Sequence, residues 1–220
     1  MIAVAIDGPA GAGKSTIAKA AAKQLGFLYV DTGALYRATG LKFSRLGFDT
    51  SLDCDLEGIL SKTEVNFGYI EGVQHVFLDG EDVSEDIRTP EASMMASAVS
   101  AKPAVRAYLL EMQRKIAREN NVIMDGRDIG TVVLPNAQIK IFLTASAAVR
   151  AERRYKELIE KGEQVTYDEV LKDIEKRDYN DSHREIAPLK PAEDSVYVDT
   201  SDKALDESVA LLIGIIKEKI

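Results

Sequence analysis

A glycine-rich segment near the start of the chain contains the residue types that bind nucleotide phosphates. Residues 8–15 read GPAGAGKS and match the pattern G-x-x-x-x-G-K-[ST] at every fixed position. Glycines let backbone N–H groups turn inward around phosphate oxygens, and the start of a following helix adds positive potential. The pattern predicts a nucleotide-binding loop made of Gly8, Pro9, Ala10, Gly11, Ala12, Gly13, Lys14, Ser15 and Thr16.

Two side chains of this loop and one later aspartate have the chemistry to bind the phosphates and their magnesium ion. Lys14 is placed to reach the β- and γ-phosphates, and the Ser15 hydroxyl is placed to ligate Mg²⁺. Asp125 ends a short apolar run, VIMD, which is the position of a Walker B aspartate. We expect Ser15 and Asp125 to form the metal site, and the alternative for Asp125 is a turn- or helix-capping role.

The loop alone predicts only a nucleotide site, because motor proteins, GTPase switches and small-molecule kinases all share it. The sequence contains no N-K-x-D motif for reading guanine, which weakens the GTPase interpretation. Its 220 residues leave little room for motor or helicase modules. These observations favour a small kinase.

Three arginines in the second half of the chain share one face of a predicted helix. Arg150, Arg153 and Arg154 are spaced i, i+3 and i+4. Like charges stacked in this way repel each other unless an anion lies among them, so we expect the group to face a polyphosphate. A solvated charged helix is the alternative, because glutamates are interspersed along the same segment.

A second charged face follows about one helix later. Arg177, Asp181 and Arg184 are spaced i, i+4 and i+7. Gly162 lies between the two helical segments, where a hinge would allow them to move. Together the segments predict a helical lid over about residues 147–185 that brings arginines over bound phosphates. A solvated face is again the alternative for Arg177.

Other residues predict a further phosphate site. Arg127 follows Asp125 in the sequence DGRD, and a guanidinium fork matches phosphate oxygens bidentately. Thr32 and Arg37 belong to the segment DTGALYR, which follows a predicted strand, and the carboxyl ends of parallel strands face the ligand crevice. A helix-capping role is the alternative for Thr32. The cations exceed those needed for one triphosphate, which predicts two phosphate-bearing ligands.

The elements that must position these residues alternate between short apolar strands and helices. The predicted strands cover residues 2–6, 27–30, 122–124, 139–143 and 196–198, and the predicted helices cover residues 14–25, 34–45, 147–161 and 203–219. This alternation predicts an α/β fold with a parallel sheet. Residues 64–83 depart from it, because two alternating runs closed by glycine predict a small antiparallel hairpin or three-stranded sheet.

Composition excludes several classes of protein. The chain has 36 acidic and 28 basic residues, a net charge of −8, whereas a general nucleic-acid or membrane-surface binder needs a positive field. One cysteine forms no intrachain disulfide, and with two histidines it cannot build a His/Cys zinc site. No apolar run approaches the ~18 residues of a membrane helix, and the first residues lack a signal-peptide pattern. We expect a cytoplasmic protein.

Four segments together resemble the bacterial cytidylate (CMP) kinase family of P-loop nucleoside monophosphate kinases. They are GPAGAGKS, DTGALYR, DGRDIGTVVLP and RDYNDSHREIAPLKPA, and the similarity runs in this order over nearly the whole chain. The resemblance implies one domain, 1–220, with a five-stranded parallel P-loop core, a nucleoside-monophosphate-binding insert at about 40–105 and the lid. It implies transfer of the γ-phosphoryl group of ATP to CMP or dCMP with Mg²⁺, by a monomer without nucleic-acid or membrane partners.

The resemblance also implies roles for individual residues. Those implied for catalysis are Lys14, Arg127, Arg150, Arg153 and Arg154. Those implied for CMP binding are Thr32, Arg37, Ser97, Arg106, Arg127, Asp128, Arg177, Asp181 and Arg184. Of these, Ser97, Arg106 and Asp128 match residues that read cytosine, and Ser93 and Ser100 remain alternatives to Ser97. Thr32 stands where other members carry serine, so the hydroxyl is kept.

Two other functions remain open at this point. One is a small kinase with the same core and another acceptor, such as UMP, shikimate or dephospho-coenzyme A. The other is a regulatory module that binds ATP without transferring phosphate. The predicted lid and the additional phosphate site count against such a module, and ADP formation with and without CMP separates the two functions.

Overall fold

The computed structural model describes residues 1–47, 55–70 and 73–220. Cys54 and residues 71–72 of the predicted hairpin lie outside these ranges. In chain order the strands and longer helices are β1 (Ala3–Asp7), α1 (Lys14–Leu25), β2 (Leu28–Asp31), α2 (Thr32–Arg45), α3 (Leu56–Leu60), β3 (Val65–Ile70), β4 (Val73–Leu78), β5 (Glu81–Asp82), α4 (Pro90–Ser100), α5 (Pro103–Glu119), β6 (Val122–Gly126), β7 (Ile139–Thr144), α6 (Ala147–Glu160), α7 (Tyr167–His183), β8 (Val196–Asp199) and α8 (Leu205–Lys217).

The described residues form two compact units. The first unit is Met1–Val30 together with Ala117–Ile220, and the second unit is Asp31–Ile116. The insert predicted at about 40–105 lies inside the second unit. That unit is larger than the predicted insert because α2 and most of α5 share one apolar cluster with the small sheet. The sequence patterns above do not predict α4 or α5.

A parallel sheet forms the centre of the first unit, as predicted. Among the described residues the strand order is β2-β6-β1-β7-β8. Strand β1 pairs in parallel with β6 and β7, and β7 pairs in parallel with β8. Strands β6 and β7 are buried along nearly their whole length, which explains why most of their residues are apolar on both faces. The predicted strands and helices are confirmed with end shifts of one or two residues.

Helices α1 and α8 share one apolar cluster with the sheet, which includes Ile6, Ile17, Ile141 and Leu212. Helix α1 begins after Gly13 and ends at Gly26, whose φ angles are 83° and 69°. Glycine adopts this left-handed conformation without the steric penalty of a side chain. The helix therefore starts where the phosphate-binding loop must turn.

Helices α6 and α7 pack against each other through Ala151, Val170 and Ile174. Gly162 lies between them with a φ of 81°. The two helices predicted for the lid are therefore confirmed, whereas movement at Gly162 stays a prediction.

The second unit contains a three-stranded antiparallel sheet in the order β3-β4-β5. Its register runs from Val65 opposite Leu78 to Ile70 opposite Val73. The three-stranded form of the predicted insert is therefore confirmed. Within the described ranges, no helix is both long and apolar enough to cross a membrane.

Candidate active site

The glycine-rich loop lies between β1 and α1 in the first unit. A side chain at Gly8 would overlap the main-chain oxygen of Leu143 at the end of the neighbouring strand β7, so only glycine allows this close approach. Lys14 is 5% exposed, and its ammonium donates to the Pro9 oxygen at 2.7 Å. The loop thus holds its own lysine in place across the turn.

Lys14 lies among charged groups that change its proton affinity. Burial lowers the pKa of Lys14 to about 7, and the nearby Arg127 acts in the same direction. Asp125, Asp181 and Asp7 oppose this shift. An anion next to the ammonium would favour its charged form, so the site is arranged to gain from a bound phosphate.

Ser15 and Asp125 meet as the sequence predicts. The Ser15 hydroxyl donates to Asp125 Oδ2 at 2.9 Å, and Asp125 is 3% exposed. A hydroxyl and a carboxylate are hard oxygen ligands of the kind that Mg²⁺ prefers, and Mg²⁺ takes its other ligands from phosphates and water. The donor set therefore fits Mg²⁺. Among the described residues, no group of three or more His, Cys, Asp or Glu side chains forms another candidate metal site.

Asp125 has a second partner that the sequence did not reveal. The Tyr29 hydroxyl donates to Asp125 Oδ1 at 2.8 Å, so the two carboxylate oxygens accept from different hydroxyl groups. Tyr29 lies on β2, which neighbours β6 in the sheet. These bonds engage both oxygens of the Asp125 carboxylate. Only the strand order, which the sequence does not give, brings Tyr29 to this place.

The turn after β6 brings several predicted CMP-binding residues together within the first unit. Arg127 Nε donates to Asp181 at 2.7 Å, and Arg184 donates to Asp128 Oδ1 at 3.3 Å. Asp128 is 5% exposed. Burial and the neighbouring Arg127 lower the pKa of Arg177. Cations and carboxylates of the turn, of α7 and of Arg184 thus form one charged cluster. The shared helix face predicted for Arg177, Asp181 and Arg184 is wrong for Arg184, because α7 ends at His183 and Arg184 has extended backbone.

The three arginines of α6 do not share one partner, which corrects the argument from their mutual repulsion. Arg150 is 4% exposed and binds Asp178 with both terminal nitrogens, at 3.1 and 2.6 Å. Arg153 donates to the Thr200 oxygen at 2.8 Å, and Arg154 pairs with Glu157 at 2.8 Å. Protein groups supply these partners, so the spacing alone does not require an anion among the three arginines.

Arg150 also contacts the nucleotide-binding loop directly. It donates to the main-chain oxygens of Ala10 at 3.0 Å and Ala145 at 2.7 Å. A Cβ at Gly11 would lie 3.4 Å from the Arg150 Cβ, so the loop lies against α6. Arg150 therefore has the contacts of a residue that supports the loop. Its partner Asp178 was not predicted from the sequence.

The remaining predicted CMP-binding residues lie in the second unit. Thr32 begins α2 and is 3% exposed, but Asp31 caps this helix by accepting from the Ala34 N–H at 3.0 Å. The capping role that was the alternative for Thr32 is therefore wrong. Arg37 pairs with Asp31 at 3.0 Å, which holds its guanidinium beside the start of the helix.

Arg106 and the serines of α4 also lie in the second unit. Arg106 is 8% exposed, donates to the Ser100 oxygen at 3.3 Å and lies over the Tyr36 ring at 5.9 Å. The Ser100 hydroxyl donates to the Ser97 oxygen at 2.9 Å within the helix. That bond uses the Ser100 donor, so it favours Ser97 or Ser93 for contact with a base.

The fold and the loop define the class of protein. A strand order of β2-β6-β1-β7-β8, a glycine-rich loop after β1 and a Ser15–Asp125 pair are the features of a P-loop nucleotide-binding domain. A solved structure of an uncharacterised protein from Eubacterium ventriosum is similar in fold. It covers 99% of this chain and 99% of its own chain, with a TM-score of 0.52 and 13% identity.

Comparison with known sequences narrows the class. The family model described as cytidylate kinase matches residues 4–218. A cytidylate kinase of Caldicellulosiruptor bescii is 52% identical and covers 94% of this chain and 91% of its own length. A cytidylate kinase of Carboxydothermus hydrogenoformans is 50% identical and covers 98% and 97%. The chain belongs to the cytidylate kinase family.

Proposed function

We propose that this protein transfers the γ-phosphoryl group of ATP to CMP or dCMP and forms ADP with CDP or dCDP. The observation that carries the proposal is the cluster of Arg127, Asp128, Asp181 and Arg184, residues to which the resemblance implies CMP-binding roles. Arg127 and Asp181 also act electrostatically on Lys14 of the nucleotide-binding loop. The residues assigned to the acceptor phosphate are therefore close enough to act electrostatically on the lysine assigned to the donor phosphates.

The reaction needs positioning and positive charge more than covalent help from the protein. An oxygen of the CMP phosphate attacks the γ-phosphorus of ATP, and the bond from that phosphorus to the bridging oxygen breaks as ADP leaves. The attacking phosphate is largely ionised near pH 7, because its second pKa is ~6. No side chain is needed as a general base, so the catalytic residues are cations.

Each cation has a distinct task in this proposal. Lys14 binds the β- and γ-phosphates from the loop, where its contact with Pro9 already orients it. Arg127 binds the acceptor phosphate, and Asp181 orients its guanidinium. Mg²⁺, held by Ser15 and Asp125, would neutralise charge on the phosphates of ATP. Arg153 and Arg154 would contribute from α6 as the lid closes and excludes water.

Asp128 is the residue we assign to base recognition. Cytosine has an exocyclic amino group, which donates to a carboxylate, where uracil has a carbonyl oxygen that cannot donate. A buried carboxylate such as Asp128 would be left without that donor when UMP binds. Thr32, Arg37, Ser97, Arg106, Arg177 and Arg184 keep the CMP-binding roles that the family resemblance implies. Asp128 therefore accounts for a preference for cytosine.

We further propose that the protein acts in the cytoplasm, as a monomer, in pyrimidine nucleotide metabolism. Family membership supports the pathway. A single cysteine fits a reducing compartment, where structural disulfides are rare.

An acceptor panel tests the proposed function. ADP formation from MgATP is measured with CMP, dCMP, UMP, shikimate, dephospho-coenzyme A and no acceptor. We expect turnover with CMP and dCMP, and a kcat/KM for CMP at least ~10²-fold above that for UMP. Equal use of UMP would indicate a kinase with another acceptor, and ADP formation independent of every acceptor would contradict the proposal.

A further inference from the structure

The turn that follows β6 has an unusual start. Residues Ile129–Val133 form a single π-helical turn, and Asp128 occupies the position before it. An aspartate at this position usually accepts from N–H groups of the first turn through its side chain. Asp128 makes no such bond. Another group must therefore satisfy the N–H groups that begin the turn.

Asp7, the last residue of β1, supplies that group. The Ile129 N–H donates to Asp7 Oδ1 at 2.7 Å, and the Gly130 N–H donates to Asp7 Oδ2 at 2.8 Å. Asp7 is 3% exposed and lies opposite Gly126 in the β1–β6 pairing. Both carboxylate oxygens bind the turn, and the rigid sheet fixes where they lie.

Gly130 lies close to both Asp7 and Lys140, which leaves little room for a side chain at this position. A Cβ at Gly130 would lie 3.3 Å from Asp7 Oδ2 and 3.2 Å from the Lys140 Cδ. Lys140 is 8% exposed, and its ammonium binds Asp194 at 2.9 Å. A side chain at 130 would press on both neighbours, so glycine permits the approach that the two bonds require.

The bonds made by Asp7 affect where the Asp128 carboxylate points. Asp128 Oδ1 accepts from Arg184, the residue after α7, at 3.3 Å. Without Asp7, the N–H groups of Ile129 and Gly130 would be unsatisfied donors next to Asp128 in a buried place, and such donors compete strongly for an acceptor. Asp128 would then be drawn back to its own turn and away from Arg184.

We propose that Asp7 is a positioning residue that caps the turn Ile129–Val133 from the neighbouring strand and so keeps the Asp128 carboxylate directed at Arg184 and at the cytosine amino group. The inference rests on the proposed function, because it assigns base recognition to Asp128. Burial raises the pKa of Asp7 to about 6, and Asp128 acts in the same direction, whereas the two N–H bonds and Lys14 oppose it. A carboxylate is thus kept where burial disfavours its charge.

The test is the substitution Asp7→Asn, which keeps the side-chain size. Asparagine offers one acceptor oxygen, and its amide nitrogen cannot accept from the second N–H group. We expect the ratio of kcat/KM for CMP to that for UMP to fall about fivefold, the effect of one hydrogen bond. The fall should come mainly from a lower kcat/KM for CMP.

The matched control is Glu207→Gln. Glu207 is a carboxylate that accepts from the Ala204 N–H at an exposed helix start. The change is chemically the same but lies at the start of α8, so the CMP to UMP ratio should equal that of wild type. A ratio unchanged in Asp7→Asn, or equal losses of kcat/KM for both acceptors, would overturn the inference, because a purely structural role lowers both equally.

Amide hydrogen exchange of the wild-type protein gives a second readout that needs no variant. The Ile129 and Gly130 amides should exchange as slowly as the Val122 amide, which donates to the Ile2 oxygen just before β1. Fast exchange at both amides would overturn the inference even if Asp7→Asn does not fold. Absence of CMP-dependent turnover in wild type would instead contradict the proposed function, and exchange would still test the cap.

Discussion

The nucleotide-binding loop and the helix pair α6–α7 both carry the cations expected at phosphates, but they differ in how far the sequence defines their partners. In the loop region, Ser15 meets Asp125, as the motif predicts. On α6, arginines with ideal spacing on one face bind separate protein groups, Asp178, Thr200 and Glu157. A motif defined by backbone conformation identifies both position and partner. A spacing rule identifies a face and leaves the partner open.

The comparison predicts that Lys14→Met causes the largest loss of turnover. The substitution removes the ammonium but keeps an unbranched side chain in the buried position. Turnover should fall well beyond tenfold, that is by more than ~1.4 kcal/mol of transition-state stabilisation, while the far-ultraviolet circular dichroism stays unchanged. Steady-state kcat with CMP is the measurement. Retention of more than about a tenth of wild-type kcat would show that the loop does not use Lys14 as assigned.

The substitutions Arg150→Ala and Arg154→Ala test how differently these two arginines of α6 contribute to stability. Arg150 is buried, and its removal leaves Asp178 and the Ala10 oxygen without their partner, so we expect a loss of ~3 kcal/mol in the free energy of unfolding. Arg154 pairs at the surface, and its loss should change stability by less than ~1 kcal/mol.

Urea unfolding of both variants decides this contrast. The KM for ATP should also rise in Arg150→Ala, because the main chain of the loop loses a donor at Ala10. Equal unfolding midpoints for the two variants would mean that Arg150 does not support the loop.

A smaller effect is expected for Tyr29→Phe, which removes only the hydroxyl that donates to Asp125. Groups that orient a metal ligand typically contribute about tenfold in metal affinity, so the Mg²⁺ concentration for half-maximal activity should rise by about that factor. Calorimetric binding of MgATP should weaken in parallel. Tyr197→Phe is the matched control, because Tyr197 is 63% exposed and stacks on Phe142. An unchanged Mg²⁺ dependence in Tyr29→Phe would show that the Tyr29 hydroxyl does not orient Asp125 for the metal ion.

The smallest expected effect is on how the free energy of unfolding of the protein changes with pH when Asp7 is replaced by asparagine. Burial raises its pKa from 3.8 to about 6, so between these values the folded protein binds a proton that the unfolded chain does not. Lowering the pH from about 7 to about 5 should therefore stabilise wild type relative to Asp7→Asn by ~1 kcal/mol. Urea unfolding at both pH values measures this difference. The same pH dependence in both proteins would show that Asp7 titrates as an ordinary surface carboxylate.

The sequence predicts most of the fold because short apolar runs, glycine turns and helical spacing are local signals. The strands of the parallel sheet and the small antiparallel sheet are recovered in this way. Asp125 could be identified because a carboxylate follows a buried run. Asp7 also follows an apolar run, at the end of β1, so the same reasoning could have identified it as a residue of the site.

Other parts of the site depend on long-range arrangement. Tyr29 reaches Asp125 only because β2 neighbours β6, and no local pattern in the sequence gives that strand order. Asp178 becomes the partner of Arg150 only because α6 packs against α7. Helices α4 and α5 complete the second unit without a motif that marks their roles. Tertiary packing, not local propensity, determines these contacts.

The most direct test of the account is ³¹P nuclear magnetic resonance of the wild-type protein with MgATP and CMP. The account predicts that the signals of CDP and ADP grow in equal amounts as ATP and CMP disappear, with little inorganic phosphate. A parallel sample with UMP should react much more slowly. Appearance of ADP and inorganic phosphate without CDP would contradict phosphoryl transfer to CMP, the central claim for this protein.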